Sequence, residues 1–393
     1  MIGPNGNFAR HSGDYLFKKV NDLVGAYIKK NGDNGLIALG LGDVSLPLAP
    51  EPTKKLAHFS SEMKKVDGFH GYPPYFGYDF LRRAIAKDYA KKGVSVRAEE
   101  VFVSDGAKCD IGGLTDLFLK GSDVLVFSPS YPVYVDVNVI AGNTVTIVKT
   151  REENGFLPDV SAIEKKAYVI YVCSPNNPTG IVYPPRIMRE LVGFALETGS
   201  LIVFDGAYSE YIRSDGIKSV YSIDVAKRCA IEVGSFSKRA GFTGLRCGWT
   251  VIPETVKIGG IRLSDMWKRR QSTKFNGVCY PVQRAAAAAL TEKGRAQCGK
   301  QIEYYLKNAK ILTDFCKKRG FKLFGGDDSP YIWLKCPKGF DSWSLFDFLL
   351  EKAAIITTPG AGFGAGGEGY IRMTAFNTYL NTVEAVERLT AVI

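Results

Sequence analysis

The sequence predicts an α/β protein with a buried, mostly parallel sheet and a second, smaller α+β domain. The chain has 393 residues, which exceeds what one compact core accommodates and suits two domains. Several apolar runs separated by helical segments are typical of parallel strands covered on both faces. Polar residues follow these runs directly, and ligands of open α/β sheets bind at such carboxyl ends of strands.

Short apolar runs mark the strands of the larger domain. Most of their residues are β-branched or aromatic, and the residues that follow them are small or polar. Continuous runs of this kind indicate strands that are buried on both faces, as in parallel sheets. The helical segments between them fit crossover connections. We place these strands at 101–103, 124–127, 168–172, 201–204 and 229–233.

The other elements lie on either side of these strands. Residues 1 to about 35 predict an arm followed by a helix, and 36–39 predict a short strand that ends in Gly-Leu-Gly-Asp. A loop rich in aromatic residues and proline, 69–77, precedes a predicted helix over 79–92. Residues 282–318 carry few helix breakers and are expected to include a long connecting helix. Further strands of the smaller segment are predicted near 331–334, 355–357 and 370–373.

The domain organisation follows from these elements. We predict an arm and part of the smaller domain at 1–48, the larger cofactor-binding domain at 49–280, and the connecting helix with the smaller domain at 281–393. No apolar run reaches the length of a transmembrane helix, and the N-terminus lacks the pattern of a signal peptide. The eight cysteines are scattered without a CxxC motif, which indicates reduced thiols. We therefore expect a cytoplasmic protein with no membrane partner.

The positive charge does not indicate a nucleic-acid partner. The formal net charge is +11, but the Lys-Lys pairs are spread along the whole chain. A nucleic-acid-binding protein would concentrate this charge in a patch, whereas dispersed pairs indicate solvated helix faces. Their field is compatible with anionic substrates. The three histidines have no metal-ligand spacing, so no metal site is predicted.

The most informative motif is Ser235-Phe236-Ser237-Lys238, which Arg246 follows. A lysine amine can anchor pyridoxal 5'-phosphate (PLP) covalently, while hydroxyls and an arginine neutralise its dianionic phosphate. Taken alone, Lys238 would be better interpreted as a surface lysine near a turn. Once displaced by substrate, the same amine could move the proton at the substrate α-carbon.

Two upstream segments offer the other contacts that PLP needs. Asp205 follows a four-residue apolar strand, where an unpaired carboxylate is costly to bury. A protonated pyridine nitrogen would pair with it, and the alternative interpretation is a helix N-cap. Asn177 and Tyr208 can act as donors near the phenolic oxygen of the ring. The order of Asn177, Asp205 and Lys238 along the chain therefore favours a PLP site.

The phosphate is expected at Gly106-Ala107-Lys108, which follows a strand and begins a helix. Free N–H groups in the first turn of a helix suit an anion, and the two serines and Arg246 of the lysine motif would complete the site. Tyr131 is interpreted as stacking on the ring face, with a core aromatic residue as the alternative.

Residues 362–367 match the GxGxxG pattern, but we do not predict a dinucleotide site there. The segment leads into a predicted strand, whereas that fingerprint requires a helix. It is better interpreted as a flexible loop before Arg372, whose guanidinium could bind a carboxylate bidentately.

Together, 174–180, Asp205 with Tyr208, and 235–246 resemble the class I and II aminotransferases, PLP enzymes of fold type I. The resemblance spans essentially the whole chain. It implies a larger domain with a mostly parallel seven-stranded sheet, and a homodimer with shared active sites in which the partner subunit's Tyr72 reaches the phosphate. It assigns catalytic roles to Lys238, Asp205 and Tyr208. Besides Tyr72, the cofactor contacts that it implies are Ala107, Lys108, Tyr131, Asn177, Asp205, Tyr208, Ser235, Ser237, Lys238, Arg246 and Asn276.

Within this family, the chain has a closer resemblance to the LL-diaminopimelate aminotransferases. It is carried by 15–17, 39–43, 104–110, 128–132, 237–244, 275–277 and 362–364. The substrate contacts that it implies are Tyr15, Gly42, Lys108, Asn276 and Arg372. One position departs from the pattern, because Tyr75 stands where these enzymes have an acid facing the distal amine of the substrate across the dimer. A phenol carries no full charge at neutral pH.

The resemblance implies amino transfer from glutamate to tetrahydrodipicolinate, which gives LL-diaminopimelate and 2-oxoglutarate in lysine biosynthesis. A related aminotransferase acting on lysine, an aromatic or another amino acid is the first alternative, because Tyr75 is neutral. Lys108, which can hold a distal carboxylate, argues for diaminopimelate. The second alternative is a PLP-fold binding or regulatory protein without catalysis, which the presence of Lys238, Asp205 and Arg246 argues against.

Overall fold

The structure is a computed structural model that describes residues 2–11, 15–33 and 35–393. Its strands are β1 (Ile37–Ala38), β2 (Val101–Ser104), β3 (Asp123–Ser128), β4 (Thr144–Lys149), β5 (Val169–Cys173), β6 (Leu201–Asp205), β7 (Ala230–Ser235), β8 (Gly248–Val251), β9 (Lys257–Ile258), β10 (Ile261–Arg262), β11 (Leu323–Gly325), β12 (Tyr331–Lys335), β13 (Ile355–Ile356), β14 (Thr358–Pro359) and β15 (Tyr370–Thr374).

The α-helices separate these strands and cover both faces of the larger sheet. They are α1 (Leu16–Asn31), α2 (Pro50–Glu62), α3 (Asp79–Ala90), α4 (Ala107–Leu114), α5 (Val133–Ala141), α6 (Pro185–Thr198), α7 (Phe236–Arg239), α8 (Leu263–Lys274), α9 (Tyr280–Ala289), α10 (Glu292–Lys318), α11 (Ser342–Ala353) and α12 (Tyr379–Val392). In the described part of the chain, none of them combines the length and the hydrophobicity that a bilayer crossing requires.

The larger sheet has seven strands in the order β2-β8-β7-β6-β5-β3-β4. All neighbours pair in parallel except β8, which is antiparallel to both β2 and β7. Every residue of β5, β6 and β7 is buried, because helices pack on both faces. The predicted fold class is confirmed. The sequence analysis missed β4, a half-exposed edge strand, and β8, whose run of four residues begins with glycine.

The smaller domain is built on an antiparallel sheet in the order β11-β12-β15-β14. Strand β1 pairs in parallel with β13, which brings the N-terminal segment to this part of the molecule. Its core includes Leu312, Leu334, Leu345 and Ile371, all almost completely buried. The boundaries at 48 and 280 stay a prediction.

The predicted helical region over 282–318 is divided into α9 and α10. The side chain of Thr291 caps α10 by accepting a hydrogen bond from Gly294 N at 3.1 Å. A Cβ on Gly294 would lie 1.9 Å from the carbonyl oxygen of Ala288, so the two helices meet too closely there for any larger residue. The chain therefore turns between the helices, and α10 alone is the long connecting helix.

The glycine-rich segment before β15 forms two short 3-10 turns, Gly360–Phe363 and Ala365–Gly367. It leads into a strand, as predicted, which excludes the dinucleotide-binding arrangement. The segment is docked on the end of β3, where Gly366 N donates to Ser128 Oγ at 3.1 Å. This packing brings β15, and with it Arg372, beside the larger sheet.

Candidate active site

A cavity of about 420 Å³ lies at the carboxyl ends of the parallel strands. Its walls come from both sheets and from the loop that follows β1. Most of the residues predicted from the sequence to bind a cofactor or substrate line this cavity. They are Gly42, Ala107, Lys108, Tyr131, Asn177, Asp205, Tyr208, Ser235, Ser237, Lys238, Arg246 and Arg372.

Lys238 lies in α7, the short helix that begins directly after β7. Ser235 caps this helix, because its Oγ accepts a hydrogen bond from Ser237 N at 3.0 Å. The Lys238 ammonium donates to the carbonyl oxygen of Gly42 on the opposite wall. Burial lowers the pKa of Lys238 to about 8. A larger fraction of this amine is therefore unprotonated near neutral pH than for an exposed lysine.

Asp205 ends β6 with its carboxylate buried. It accepts hydrogen bonds from Tyr134 Oη at 2.8 Å and from Ala207 N at 3.0 Å. Burial raises the pKa of this carboxyl group, and both donors are neutral. The bond to Ala207 belongs to a local turn and does not cap an α-helix, since only a 3-10 turn, Ser209–Tyr211, follows. A cation in the cavity would pair with Asp205.

The hydroxyl groups of Tyr208 and Tyr331 lie 2.6 Å apart in the wall of the cavity. Tyr208 follows β6, whereas Tyr331 begins β12 of the smaller domain. Both side chains are buried. This hydrogen bond therefore joins the two domains beside Asp205.

The first turn of α4 offers groups that are suited to an anion. Gly106, the N-cap, has φ +133°, and a Cβ there would lie 2.4 Å from Arg246 Nη2. The Arg246 guanidinium is thus directly against the free amide groups of this turn. Its Nη1 also donates to Thr243 O at 3.1 Å and to Ser237 Oγ at 3.4 Å. Amides, hydroxyl groups and a guanidinium together form a site suited to a phosphate.

Arg372 is 1% exposed, and the described residues give it no carboxylate partner. Its guanidinium donates to Asn177 Oδ1 at 2.7 Å and to the carbonyl oxygen of Gly40 at 2.5 Å. It lies 4.4 Å from the centre of the Tyr331 ring, and its Nε has no hydrogen-bond partner. A buried cation held only by neutral groups is costly unless an anion binds beside it.

Tyr131, Tyr15 and Lys108 lie on the side of the cavity that faces α5. Tyr131 is half-buried in the cavity wall, and its ring packs edge-on against Tyr134 with centroids 5.7 Å apart. The Lys108 ammonium lies 5.2 Å from the centre of the Tyr15 ring. Tyr15 itself lines an adjoining cavity together with Asp136. This side of the cavity therefore offers two phenols and one ammonium group to a bound molecule that extends past Arg372.

The family model described as aminotransferase class I and II matches residues 34–389. The chain belongs to this family. An LL-diaminopimelate aminotransferase of Methanosphaera stadtmanae is 45% identical over 394 residues, covering 96% of this chain and 95% of that protein. One of Lachnospira eligens is 44% identical over 405 residues and covers both chains fully. The structure of the L,L-diaminopimelate aminotransferase from Chlamydomonas reinhardtii superimposes with a TM-score of 0.94 at 38% identity, covering 99% of this chain and 98% of that one.

Class I and II aminotransferases use PLP, and the cavity of this aminotransferase fits that cofactor. The anion site at α4 suits its phosphate, and the buried Asp205 carboxylate with neutral donors suits a protonated ring nitrogen. Lys238 provides a half-buried amine in the same cavity, at a lowered pKa. These three features lie on separate elements, yet the fold brings them to one place.

Three residues predicted for the site do not line this cavity: Tyr15, which lines the adjoining cavity, Tyr72 and Asn276. Tyr72 is 87% exposed, and Asn276 is also exposed. They belong to neighbouring surface segments of the aminotransferase, because a Cβ on Gly277 would lie 2.7 Å from Pro73 Cγ. Their roles in cofactor and substrate binding stay predictions that require a second subunit.

The cavity residues that the sequence analysis did not assign to the site include Tyr134, Tyr331 and Asp43. Tyr134 lies three residues after Tyr131 in the first turn of α5, so helical spacing could have placed it near the same site. Tyr331 gave only a strand signal. Tyr331 and Tyr208 are 123 positions apart in the sequence, and no local sequence pattern indicates that they are in contact.

Proposed function

We propose that this aminotransferase transfers the amino group between glutamate and tetrahydrodipicolinate, forming LL-diaminopimelate and 2-oxoglutarate in lysine biosynthesis. The observation that carries this proposal is the buried Arg372, whose described partners are neutral, beside Lys238 and Asp205 in one cavity. Relatives at about 45% identity over the full length carry the same substrate name. The eight cysteines are free, which suits a cytoplasmic enzyme.

Lys238 is proposed as the catalytic amine. When bound, PLP supplies an aldehyde that bonds covalently to an amine and a ring that withdraws electrons from the substrate α-carbon. Lys238 Nζ would anchor the cofactor and, once released, take and return the proton at that carbon. Its pKa of about 8 leaves part of the amine free to accept a proton near neutral pH.

Asp205 and Tyr208 are proposed to hold the two polar edges of the ring. The Asp205 carboxylate would pair with the ring nitrogen and keep it protonated, with Tyr134 fixing the carboxylate from behind. Tyr208 and Asn177 would donate to the phenolic oxygen. Tyr131 would stack on the ring face from the half-buried wall position that it occupies.

The phosphate is proposed to bind at the N-terminus of α4. Amides of Ala107 and Lys108, the hydroxyls of Ser235 and Ser237 and the Arg246 guanidinium all line this part of the cavity. The partner subunit's Tyr72 would add one further donor.

Arg372 is proposed to bind the α-carboxylate of both substrates bidentately. Its guanidinium contacts Gly40, two residues before Gly42, whose carbonyl oxygen accepts from Lys238. Tyr15 and Lys108 would meet the distal end of a dicarboxylic substrate, with Asn276 reaching it from the partner subunit.

A homodimer with shared active sites is part of this proposal. The surface around the Tyr72 loop exposes several apolar side chains, including Val66 at 100% and Phe69 at 64% of their area. Exposed apolar patches of this kind mark interaction sites. Covering them with a second subunit would place Tyr72 and Asn276 at the site of the neighbour.

The test is a coupled transamination assay on the PLP-loaded protein with LL-diaminopimelate, lysine, glutamate and phenylalanine as donors. We expect the highest kcat/KM for LL-diaminopimelate with 2-oxoglutarate, and no turnover by Lys238→Ala. An aromatic donor is the second candidate, because Tyr75 offers an aromatic ring where related enzymes have an acid. Turnover of phenylalanine without turnover of LL-diaminopimelate would contradict the proposed substrate.

A further inference from the structure

Tyr331 occupies a junction between the groups that are proposed to hold cofactor and substrate. Its hydroxyl lies 2.6 Å from Tyr208 Oη, and the Arg372 guanidinium lies 4.4 Å from the centre of its ring. A Cβ on Gly42 would come within 2.7 Å of the same hydroxyl, so the Gly42 segment that accepts from Lys238 also lies against it. No other described tyrosine combines these three contacts.

The ring of Tyr331 is held in place by packing that does not depend on its hydroxyl. It is 1% exposed, and it packs against the rings of Tyr208 and Phe376 with centroids 5.1 and 6.2 Å away. Its backbone N–H donates to Ser329 Oγ at 3.1 Å. Loss of the oxygen alone would therefore leave the ring under Arg372 where it is.

Either phenol could donate the hydrogen bond between them, and their surroundings favour Tyr331 as the donor. Burial raises the pKa of both phenols, and Arg372 offsets part of that rise in each. The offset is larger for Tyr331, because the guanidinium lies 4.4 Å from the centre of its ring. The phenol nearer the cation is the stronger acid and the better donor.

We propose that Tyr331 is a positioning residue for the reaction, whose hydroxyl donates to Tyr208 Oη so that the Tyr208 proton is directed into the cofactor cavity. This inference rests on the proposed function, in which Tyr208 donates to the phenolic oxygen of PLP. A phenol that accepts a hydrogen bond becomes a better donor. Tyr331 therefore strengthens the contact of Tyr208 with an anionic ring oxygen.

The visible absorption band of the bound cofactor reports this effect without any turnover. A donor at the ring oxygen favours the deprotonated form of the chromophore, so weakening that donor raises the pH at which the band titrates. We expect Tyr331→Phe to raise the midpoint by about 0.4 to 1 pH unit, and to lower kcat by about 2- to 12-fold, as for one lost hydrogen bond. KM for the amino acid should stay unchanged, because the ring beneath Arg372 is retained.

A double-mutant cycle separates positioning from a general structural effect. In a Tyr208→Phe background, adding Tyr331→Phe should leave the titration midpoint unchanged. Tyr221→Phe is the matched control, because it also removes a buried phenol oxygen, one that bonds to Ala230 O and Val251 O outside the cavity. Its midpoint and kcat should be those of the wild type.

Two results would overturn the inference: a wild-type midpoint in Tyr331→Phe, or an equal shift with and without Tyr208. A wild-type protein that shows no cofactor band or no transamination would instead contradict the proposed function, and the inference with it. Tyr331→Leu adds a further check, since loss of the ring should raise KM for both substrates whereas loss of the oxygen should not.

Discussion

The Arg239 guanidinium donates to both carboxylate oxygens of Asp88, at 2.8 and 3.0 Å, one residue beyond Lys238. Both side chains are almost fully buried. Glu210 lies 3.4 Å from the same guanidinium and 2.5 Å from the Lys92 ammonium. This buried ion network fastens α7 to α3, and it therefore holds the helix that carries Lys238.

Asp88→Ala should destabilise the protein strongly, because it leaves the buried charge of Arg239 only partly compensated. Removing one partner of a buried ion pair lowers the free energy of unfolding by about 3–5 kcal/mol. The matched control is Asp314→Ala, which removes an exposed pair with Lys310 on α10 and should cost about 0.5 kcal/mol. Denaturant unfolding at neutral pH measures both. Equal losses in the two variants would show that the network contributes no more than a surface pair.

The same network predicts a loss of stability in acid. Burial opposes ionisation of Glu210, but Arg239 and Lys92 outweigh it and lower the pKa of Glu210 to about 2. A carboxyl group whose pKa is lower in the folded state stabilises the protein fully above its unfolded pKa, near 4.5. That contribution is lost as the pH falls from there toward 2. We expect Glu210→Gln to be less stable at neutral pH and to show a shallower decline between pH 5 and 3. An unchanged slope would rule out Glu210 as a source of the decline.

The sequence was informative wherever a residue of the cavity follows a buried strand. Asp205 and Lys238 were predicted from such positions, because carboxyl ends of parallel strands converge at one edge. Asp88 and Arg239 are 151 positions apart, and Tyr208 and Tyr331 are 123 apart. Pairs of this kind depend on how α3 and the smaller domain pack against the larger sheet. The spacing of residues within a single helix or strand does not indicate that packing. Strand β8, which is antiparallel to its neighbours, was missed for a related reason. Its tendency to form a strand depends on packing against β2 and β7.

Arg372→Ala should raise KM for both the amino acid and the oxoacid. A bidentate contact between a guanidinium and a carboxylate is worth about 2–3 kcal/mol, so kcat/KM should fall roughly 30- to 150-fold. Arg372→Lys is the control for charge, because it keeps the cation but loses the fork geometry, and it should restore only part of the affinity. Steady-state kinetics with each substrate varied in turn measures this. If Arg372→Ala has the KM values of the wild type, Arg372 does not bind the α-carboxylate.

Tyr75 gives the sharpest test of the substrate. Its side chain is 45% exposed on the surface loop that contains Tyr72, so a substitution there does not disturb the core. Tyr75→Glu would place a negative charge where the distal ammonium of diaminopimelate is expected, across the subunit interface. A hydrogen bond to a charged group contributes about 1.5–3 kcal/mol, against roughly 1 for a neutral one. We therefore expect Tyr75→Glu to preserve or improve kcat/KM for LL-diaminopimelate.

The same change should reduce activity with apolar or aromatic donors, because an unpaired carboxylate would face their side chains. Tyr75→Phe is the matched control, since it keeps the ring, removes the hydroxyl and adds no charge. The measurement is kcat/KM for LL-diaminopimelate, lysine, glutamate and phenylalanine with all three proteins. If Tyr75→Glu and Tyr75→Phe change the four values in parallel, the residue does not face the distal amine, and another group must recognise it. If wild type uses phenylalanine well and LL-diaminopimelate not at all, the diaminopimelate assignment fails while the aminotransferase chemistry of Lys238 stands.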